Sequence, residues 1–315
     1  MKVLVTGANG LVGRSLCVSL VDRRMAVRAA VRSATSVLPE IECVLVGAVN
    51  GSTDWRAALL DVQIVVHLAA RVHVMHDQSA DPLVEFRQVN VDGTLQLARQ
   101  AAAAGVRRFL FVSSVKVNGE STCPGQAFLE SDPPNPQDAY GISKHEAEQG
   151  LRQLALETGL EVVIIRPPLV YGLGVKANFA ALMQAVQKGW PLPLGAVNNR
   201  RSLGPLDNLT DFIMTVITHP KAANQTFLVS DGQDLSTPEL IRAIANAAHT
   251  RAHLMSVPLW ALAWVGRLTG KTQVVQRLCE NLQVDSSKAR NLLGWVPVVS
   301  AQEGLRRAIM GKQRS

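Results

Sequence analysis

The sequence predicts an α/β fold, in which a doubly wound parallel sheet is joined to a smaller, mostly helical C-terminal lobe. Short apolar runs alternate with segments of helix length through the first half of the chain. This alternation favours parallel strands connected by crossover helices. A glycine-rich turn lies between the first apolar run and the first predicted helix, and after about residue 172 the alternation weakens.

Composition and charge exclude several classes of function. The chain has 315 residues, of which 47% are hydrophobic and 18% charged, a balance typical of a globular protein with a sizeable core. The net charge of +7 suits an anionic ligand such as a nucleotide, although charges scattered over solvated faces are the alternative. Because aromatic residues make up 4% of the chain and no run of five Lys or Arg occurs, we expect no nucleic-acid partner.

Cysteine usage and apolar runs indicate the compartment. The four cysteines are far apart and form no Cys-x-x-Cys pair, so we expect reduced thiols, no metal site and a cytoplasmic location. No signal peptide and no apolar run of membrane-spanning length is found, so we expect no membrane partner. The apolar residues 257–265 are interpreted as a buried helix or part of a pocket lid.

The first strand and its glycine loop predict a dinucleotide site. Residues 3–5 form an apolar run, the loop 7–13 has the pattern Gly-x-x-Gly-x-x-Gly, and a helix follows to about residue 21. Such a turn brings backbone N–H groups and a helix N-terminus against a pyrophosphate; a tight strand–helix turn without ligand is the alternative. The loop residues assigned to the cofactor are Gly7, Asn9, Gly10, Leu11, Val12 and Gly13.

The end of the second strand bears on the choice of cofactor. About 20 residues after the glycines, an acid that binds the ribose would select NAD. Val31 lies there instead, followed by Arg32 and Ser33, which suit a 2′-phosphate. The sequence therefore favours NADP(H), with Arg32 as the phosphate-binding residue, and leaves NAD(H) possible. The alternative for Arg32 is an exposed charge at a strand end.

The third and fourth apolar runs, residues 44–46 and 64–68, extend the predicted sheet. His67 is interpreted as a core or strand-end histidine rather than a catalyst. His73 and His76 lack the His-Glu-x-x-His arrangement of a helical zinc site, so no metal is assigned. Residues of this region assigned to the cofactor are Leu68, Ala69, Ala70 and Asn90; the last precedes an alanine-rich helix predicted over 94–104 and could bridge backbones between strands.

The candidate catalytic residues follow the fifth apolar run, residues 109–112. This run delivers Ser114 to the carboxyl edge of the sheet, where ligands bind in open α/β folds. Tyr140 and Lys144 are four residues apart and so share one helix face. A nearby ammonium lowers the pKa of a tyrosine, which suits proton exchange with a sugar or alcohol oxygen. The proline-rich loop 120–137 is expected to be ordered against this site, with Asp138 as the helix cap.

The second half of the chain predicts a second lobe interleaved with the first. A sixth run, residues 162–165, ends before Pro167 and Pro168, which cannot continue a ladder and turn the chain over the cofactor face; Pro167 and Val170 are assigned to the cofactor. Helices are predicted over 178–188 and 207–219 and a last strand over 226–229. We expect an NAD(P)-binding Rossmann domain of residues 1–172 and 207–232, and a substrate-binding lobe of residues 173–206 and 233–315.

Taken together, the loop 6–13, Ser114, Tyr140 with Lys144, and residues 166–172 resemble an extended short-chain dehydrogenase/reductase. The resemblance covers nearly the whole chain. Within this family, the residues resemble the branch of nucleotide-sugar epimerases, dehydratases and reductases. It implies an enzyme, a UDP-sugar substrate in the C-terminal lobe and often a homodimer. It also implies that Tyr140 is the catalytic acid or base, that Lys144 lowers its pKa and holds the nicotinamide ribose, and that Ser114 hydrogen-bonds the reacting oxygen.

The same resemblance implies the substrate contacts, which are Ser114, Lys116, Asn178, Arg201 and Arg277. An arginine suits a diphosphate because its guanidinium pairs two phosphate oxygens at once. A surface charge in a loop is the alternative for Arg201. Dehydratases of the branch have Thr-Asp-Glu where this chain has Ser114, Val115 and Lys116. Dehydration needs a further acid and base and is therefore disfavoured. Ala48 stands where the family commonly has an acid near the adenine.

Three functions remain after this comparison. The leading interpretation is an NADP(H)-dependent reductase of the C4 ketone of a UDP-4-keto-6-deoxy-N-acetylhexosamine, in surface-polysaccharide sugar biosynthesis, with 4-dehydrogenation as the reverse. Residues 113–120 and 166–179 resemble that subgroup. One alternative is a UDP-hexose or UDP-N-acetylhexosamine 4-epimerase with bound NAD, which shares Ser114, Tyr140 and Lys144. Another is a non-catalytic NADP-sensing or scaffold protein, which typically loses part of this trio.

Overall fold

The computed structural model describes residues 1–33, 40–72, 81–270 and 272–311. His73 and His76 lie outside the described residues. The strands are β1 Lys2–Thr6, β2 Ala26–Val31, β3 Glu42–Leu45, β4 Ile64–His67, β5 Arg108–Val112, β6 Glu161–Arg166, β7 Leu169–Tyr171, β8 Leu203–Pro205 and β9 Thr226–Leu228.

The helices come from every part of the chain. The α-helices are α1 Leu11–Asp22, α2 Arg56–Leu59, α3 Pro82–Arg87, α4 Gly93–Ala103, α5 Ala139–Thr158, α6 Ala177–Gln187, α7 Leu206–Thr218, α8 Thr237–Ala247, α9 Leu259–Leu268, α10 Thr272–Cys279, α11 Ser287–Leu293 and α12 Ala301–Met310. A π-helical turn occupies Gln88–Asp92, and 3-10 turns occupy Val115–Val117 and Pro220–Ala222.

Seven strands form one parallel sheet in the order β3-β2-β1-β4-β5-β6-β9. The order reverses between β1 and β4, so the chain winds outward in both directions from this point. Because successive side chains of a strand point to opposite faces, Val3 and Val5 pack in the layer of α1 and α7, while Leu4 packs in the layer of α4 and α5. The predicted doubly wound sheet is confirmed.

The C-terminal lobe has a core of its own. Apolar residues of α6, α8 and α12 pack around the short parallel pair β7–β8. Tyr171 is fully buried there. Its ring stacks on Phe179 with 5.2 Å between centroids, and its hydroxyl donates to the carbonyl of Ala301 at 3.1 Å. The lobe is mostly helical, as predicted, but the pair β7–β8 was not predicted.

Most predicted elements form close to their expected bounds, with two differences. The third strand begins at Glu42 rather than residue 44, and Asn90 lies in the π-helical turn before α4. The expectation that residues 257–265 form a buried helix is wrong: in α9, Trp260 and Trp264 are exposed, and only Leu262 and Gly266 are buried. Across the described residues, no helix combines the length and the apolar character needed to cross a bilayer.

Candidate active site

The glycine loop lies at the carboxyl edge of the sheet, where the strand order reverses between β1 and β4; open α/β folds form their ligand cleft at this position. Gly7 has a φ of +65°, and a Cβ there would lie 2.8 Å from the backbone nitrogen of Ala69. A Cβ at Gly13 would overlap the Gly7 carbonyl oxygen and lie 2.7 Å from Ala8 Cα. These glycines therefore allow the turn and the close packing of α1 on β1, as the sequence predicted.

The N-terminus of α1 fits a dinucleotide pyrophosphate. Gly10 is the N-cap residue, so no side chain caps the first turn of this helix. Asn9 and Gly10 are exposed, and Leu11 and Val12 are partly exposed. Unsatisfied N–H groups and the positive end of the helix dipole favour an anion at this position. The residues present thus fit the pyrophosphate that NAD and NADP share.

A buried histidine ties the glycine loop to its neighbours. The Nδ1 of His67 hydrogen-bonds with Thr6 Oγ1 at 2.7 Å, and its Nε2 with Thr94 Oγ1 at 3.0 Å. Thr6 Oγ1 also accepts from the backbone N–H groups of Leu68 and Ala69 at 3.2 Å. Burial lowers the pKa of His67 to about 3, with a smaller effect from Lys144. His67 is therefore a neutral core histidine, and it fixes the two loops that border the cleft.

This histidine predicts acid sensitivity. Between pH 6.5 and about 3 the unfolded chain binds a proton that folded His67 excludes, so stability is lost as the pH falls through this range. One such proton lowers the free energy of unfolding by up to about 1.4 kcal/mol for each unit by which the pH falls. Urea unfolding of His67→Gln should show a shallower acid slope than the parent, whereas His253→Gln, at an exposed position, should keep it. Equal slopes in all three proteins would contradict the assignment.

Ser114 and Tyr140 meet above the ends of β5 and β6. Asp138 caps α5 by accepting from the N–H of Gly141 at 2.7 Å, as predicted. Tyr140, in the first turn of α5, hydrogen-bonds through its side chain with Ser114. The loop 120–137 is ordered against this region, since the N–H of Asn135 donates to the carbonyl of Val117 at 2.9 Å and the side-chain amide of Asn118 donates to the carbonyl of Leu129 at 2.8 Å.

Lys144 lies near the Tyr140 ring, on the same helix. The ammonium donates to the carbonyl of Val112 at 2.9 Å and lies 4.3 Å from the Phe111 ring centroid. It is 5.9 Å from the centroid of the Tyr140 ring. Burial lowers the pKa of Lys144 to about 7, and the charge of Glu148 opposes this shift.

The expected lowering of the Tyr140 pKa by Lys144 is wrong for this arrangement. Loss of solvent raises the pKa of Tyr140, and the charge of Asp138 raises it further. The hydrogen bond with Ser114 acts in the opposite direction. Desolvation outweighs the ammonium because the Lys144 nitrogen is directed to a strand carbonyl, and its own charge is disfavoured by burial.

A buried ion pair supports this face of α5 and was missed by the sequence reasoning. Glu148 is fully buried and binds Arg166 through both carboxylate oxygens, at 2.9 and 2.6 Å. It also accepts from the Ser113 hydroxyl at 2.6 Å. The available signal was its spacing, since Glu148 is four residues after Lys144 and shares its helix face.

Asn90 links the cofactor side of the cleft to α5. Its amide accepts from the N–H of Arg71 at 2.8 Å, donates to the Arg71 carbonyl at 3.0 Å and donates to Ser143 Oγ at 2.9 Å. It therefore bridges the segment after β4 to the helix of Tyr140, rather than the backbones of two strands as the sequence predicted. Pro167 is buried, and its carbonyl accepts from Val115 at 3.0 Å. Ala70 and Val170 are partly buried, and Arg32 is exposed at the end of β2.

Three of the predicted substrate contacts fall in one polar region beside Ser114. Lys116 forms ion pairs with Glu120 at 2.8 Å and with Asp138. Arg201 donates to the carbonyl of Glu280 at 3.0 Å. Burial lowers the pKa of Arg201, on which the charges of Glu280, Arg277 and Glu120 also act.

Asn178, in the first turn of α6, is exposed, and no described contact joins it to this region. Within the described ranges, no three His, Cys, Asp or Glu residues gather closely enough to hold a metal ion.

This cleft and sheet define an extended short-chain dehydrogenase/reductase, and the chain belongs to the NAD dependent epimerase/dehydratase family, whose model matches residues 3–230. The expectation of an enzyme is thereby confirmed. Over 311 residues the chain is 49% identical to a UDP-glucose 4-epimerase of Vibrio cholerae, covering 97% of this chain and 93% of that protein.

Solved structures share the whole fold. A UDP-glucuronic acid 4-epimerase of Bacillus cereus in complex with NAD superposes with a TM-score of 0.81 at 21% identity, covering 100% of this chain and 99% of the other. A UDP-glucose 4-epimerase of Thermotoga maritima with UDP-glucose gives a TM-score of 0.79 at 20% identity, covering 100% and 99%. These structures confirm the fold, and the Vibrio cholerae relative favours the epimerase alternative over the 4-keto reductase.

Proposed function

We propose that this protein is a UDP-hexose or UDP-N-acetylhexosamine 4-epimerase that retains its nicotinamide cofactor through the catalytic cycle. The observation that carries this choice is the 49% identity to a UDP-glucose 4-epimerase across 97% of the chain. The geometry supports it, because Ser114, Tyr140 and Lys144 lie at the carboxyl edge of the sheet, where the glycine loop also lies.

Inversion at C4 requires the removal and return of one proton and one hydride. A nicotinamide bound in the cleft supplies the hydride acceptor and donor. Tyr140 takes the proton of the C4 hydroxyl and later gives it back, acting as general base and then as general acid. Ser114 hydrogen-bonds the same oxygen and holds it toward Tyr140. After oxidation, the sugar can present either face of C4 to the nicotinamide. One acid–base residue therefore serves both directions of the reaction.

Tyr140 and Lys144 are both buried, and burial shifts the pKa of each. Burial raises the pKa of Tyr140 and lowers that of Lys144 to about 7, so desolvation opposes the phenolate form that accepts the C4 proton. A charge near either group therefore shifts its pKa strongly, since the local dielectric constant is low. Lys144 holds the nicotinamide ribose.

The cofactor and the substrate are held by residues already described. Gly7, Gly10 and Gly13 admit the pyrophosphate to the N-terminus of α1. Arg201 and Arg277 pair with the diphosphate of the UDP-sugar, and Lys116 and Asn178 contact the substrate beside them. A homodimer and a cytoplasmic location remain predictions from the resemblance and the sequence.

A second candidate is the 4-keto reductase with exchangeable NADPH. The observation that favours it is Arg32, which is exposed at the end of β2, where an NAD-selecting acid is missing. The two candidates therefore differ in cofactor: the epimerase retains NAD, whereas the reductase consumes NADPH.

Cofactor content and turnover of the purified protein distinguish the two. The protein should release close to one equivalent of NAD(H) on denaturation, and it should interconvert UDP-glucose and UDP-galactose, or the N-acetylated pair, without added reductant. In a parallel reaction, UDP-4-keto-6-deoxy-N-acetylglucosamine with NADPH should show no multiple-turnover loss of nicotinamide absorbance. The reverse pattern, no interconversion and sustained NADPH oxidation, would replace the epimerase with the reductase.

A further inference from the structure

Helix α9 presents an apolar stripe to solvent. Trp260 is 76% exposed, Trp264 61% and Leu268 67%. The three are spaced by four residues and therefore lie along one side of the helix. The opposite side is the one that packs: Leu262 and Gly266 are buried, and a Cβ at Gly266 would lie 2.9 Å from Val275 of α10.

The stripe is wider than these three side chains. Leu259 at the start of α9 and Val265 beside the stripe are also about half exposed. By contrast, Trp55 and Trp295 are buried in the cores of the two sheet layers. Contiguous exposed apolar surface of this kind marks an interaction site rather than scattered surface residues.

The surrounding sequence is exclusively cationic. Residues 240–279 contain no aspartate or glutamate, and they contain five cations, Arg242, Arg251, Arg267, Lys271 and Arg277. The whole chain has a net charge of +7, so this one segment accounts for most of the excess. Arg242, Arg251 and Arg267 are exposed, and Arg267 lies on α9 itself.

We propose that the α9 stripe docks on an anionic membrane surface. A helix with tryptophan and leucine on one side and arginine beside them lies in the plane of the lipid headgroups. Tryptophan prefers this depth because its ring is apolar and its N–H is polar. Acid-free basic segments are attracted to anionic lipids. Such docking needs no spanning helix and revises the prediction that the protein has no membrane partner.

A second copy of the chain fits the stripe less well. In a two-fold contact the same residues meet across the axis, so Arg267 and its cationic neighbours would face their own copies without an acid from this segment. The membrane supplies the missing negative charge. Helix α10 packs against the opposite side of α9 and carries Arg277, whose charge acts on Arg201, so docking brings the lobe with the candidate substrate contacts close to the bilayer. The proposal does not rest on the epimerase activity.

Vesicle flotation tests the proposal with the full chain. Phosphatidylcholine vesicles with about one third phosphatidylglycerol, at about 0.1 M salt, should carry the protein upward, whereas pure phosphatidylcholine should carry much less. The variant Trp260→Ser/Trp264→Ser should reduce the bound fraction about tenfold or more. Leu156→Ser, which replaces a leucine that is 83% exposed on α5, should bind as the parent does. Equal thermal unfolding midpoints of the three proteins serve as the folding control.

Other results would overturn the proposal. One is failure of the parent to float with anionic vesicles, and another is flotation of the double variant equal to that of the parent. Sedimentation velocity without lipid tests a second copy of the chain as the occupant of the stripe. If the double substitution converts an oligomer into a monomer, the stripe is an interface between copies and the membrane proposal is overturned. Tryptophan emission of the parent should shift to shorter wavelength with anionic vesicles, and an unchanged spectrum would contradict burial of Trp260 and Trp264 in the interface.

Discussion

Replacing Tyr140 with phenylalanine is expected to lower kcat by about 10³- to 10⁴-fold, since the loss of a positioned acid–base group costs about this much. The ring should remain in place, because Tyr140 packs edge-on against Phe86 with 6.2 Å between centroids. Cofactor content should therefore stay close to that of the parent. The measurement is the rate of UDP-sugar interconversion at saturating substrate, together with the amount of nicotinamide released on denaturation.

Tyr171→Phe is the matched control, because the chain contains two tyrosines. Its hydroxyl is buried in the C-terminal lobe and donates to Ala301. Removing it should cost about 1 kcal/mol of stability and leave kcat nearly unchanged. Near-parental turnover in Tyr140→Phe, or an equal loss in both variants, would remove Tyr140 from the mechanism.

Substitution of Gly13 by alanine is expected to have the second largest effect. The new Cβ would overlap the Gly7 carbonyl oxygen and crowd Ala8, and both neighbours are backbone atoms that cannot rotate away. Overpacking of this kind costs about 1–3 kcal/mol. The displaced start of α1 should also lose cofactor. We expect a lower denaturation midpoint and a purified protein with little bound nicotinamide.

Gly204→Ala tests whether this effect belongs to the loop. Gly204 lies in β8, and a Cβ there would meet nothing within 4 Å. This variant should retain its cofactor and unfold within about 1 kcal/mol of the parent. Full cofactor occupancy in Gly13→Ala would contradict the assignment of the loop to the pyrophosphate.

The sheet could be predicted because its signals are local. Buried parallel strands are recognisable as short apolar runs. The strand–glycine–helix turn identifies β1, the strand beside which the order of the sheet reverses. Asp138 was recognisable as a cap because capping depends on residues three positions apart. The β7–β8 pair escaped prediction because its partners are three residues long and more than 30 positions apart, with Pro205 ending the second strand.

The direction of buried side chains could not be predicted. Spacing places Lys144 on the helix face of Tyr140, but its acceptor is the carbonyl of Val112 on a distant strand. Glu148 and Arg166 similarly meet only after α5 folds over β6. In α9, the apolar composition suggested burial, yet Trp260 and Trp264 lie on the exposed side of this helix.

The central claim, inversion at C4 by removal and return of a hydride, is tested most directly with UDP-glucose deuterated at C4. The protein and its own bound cofactor should convert it to UDP-galactose that keeps the deuterium at C4, with no deuterium entering the product from D₂O when unlabelled substrate is used. Loss of the label to solvent, or the absence of a 4-epimer while added NADPH is oxidised with a 4-keto sugar, would contradict the proposed function.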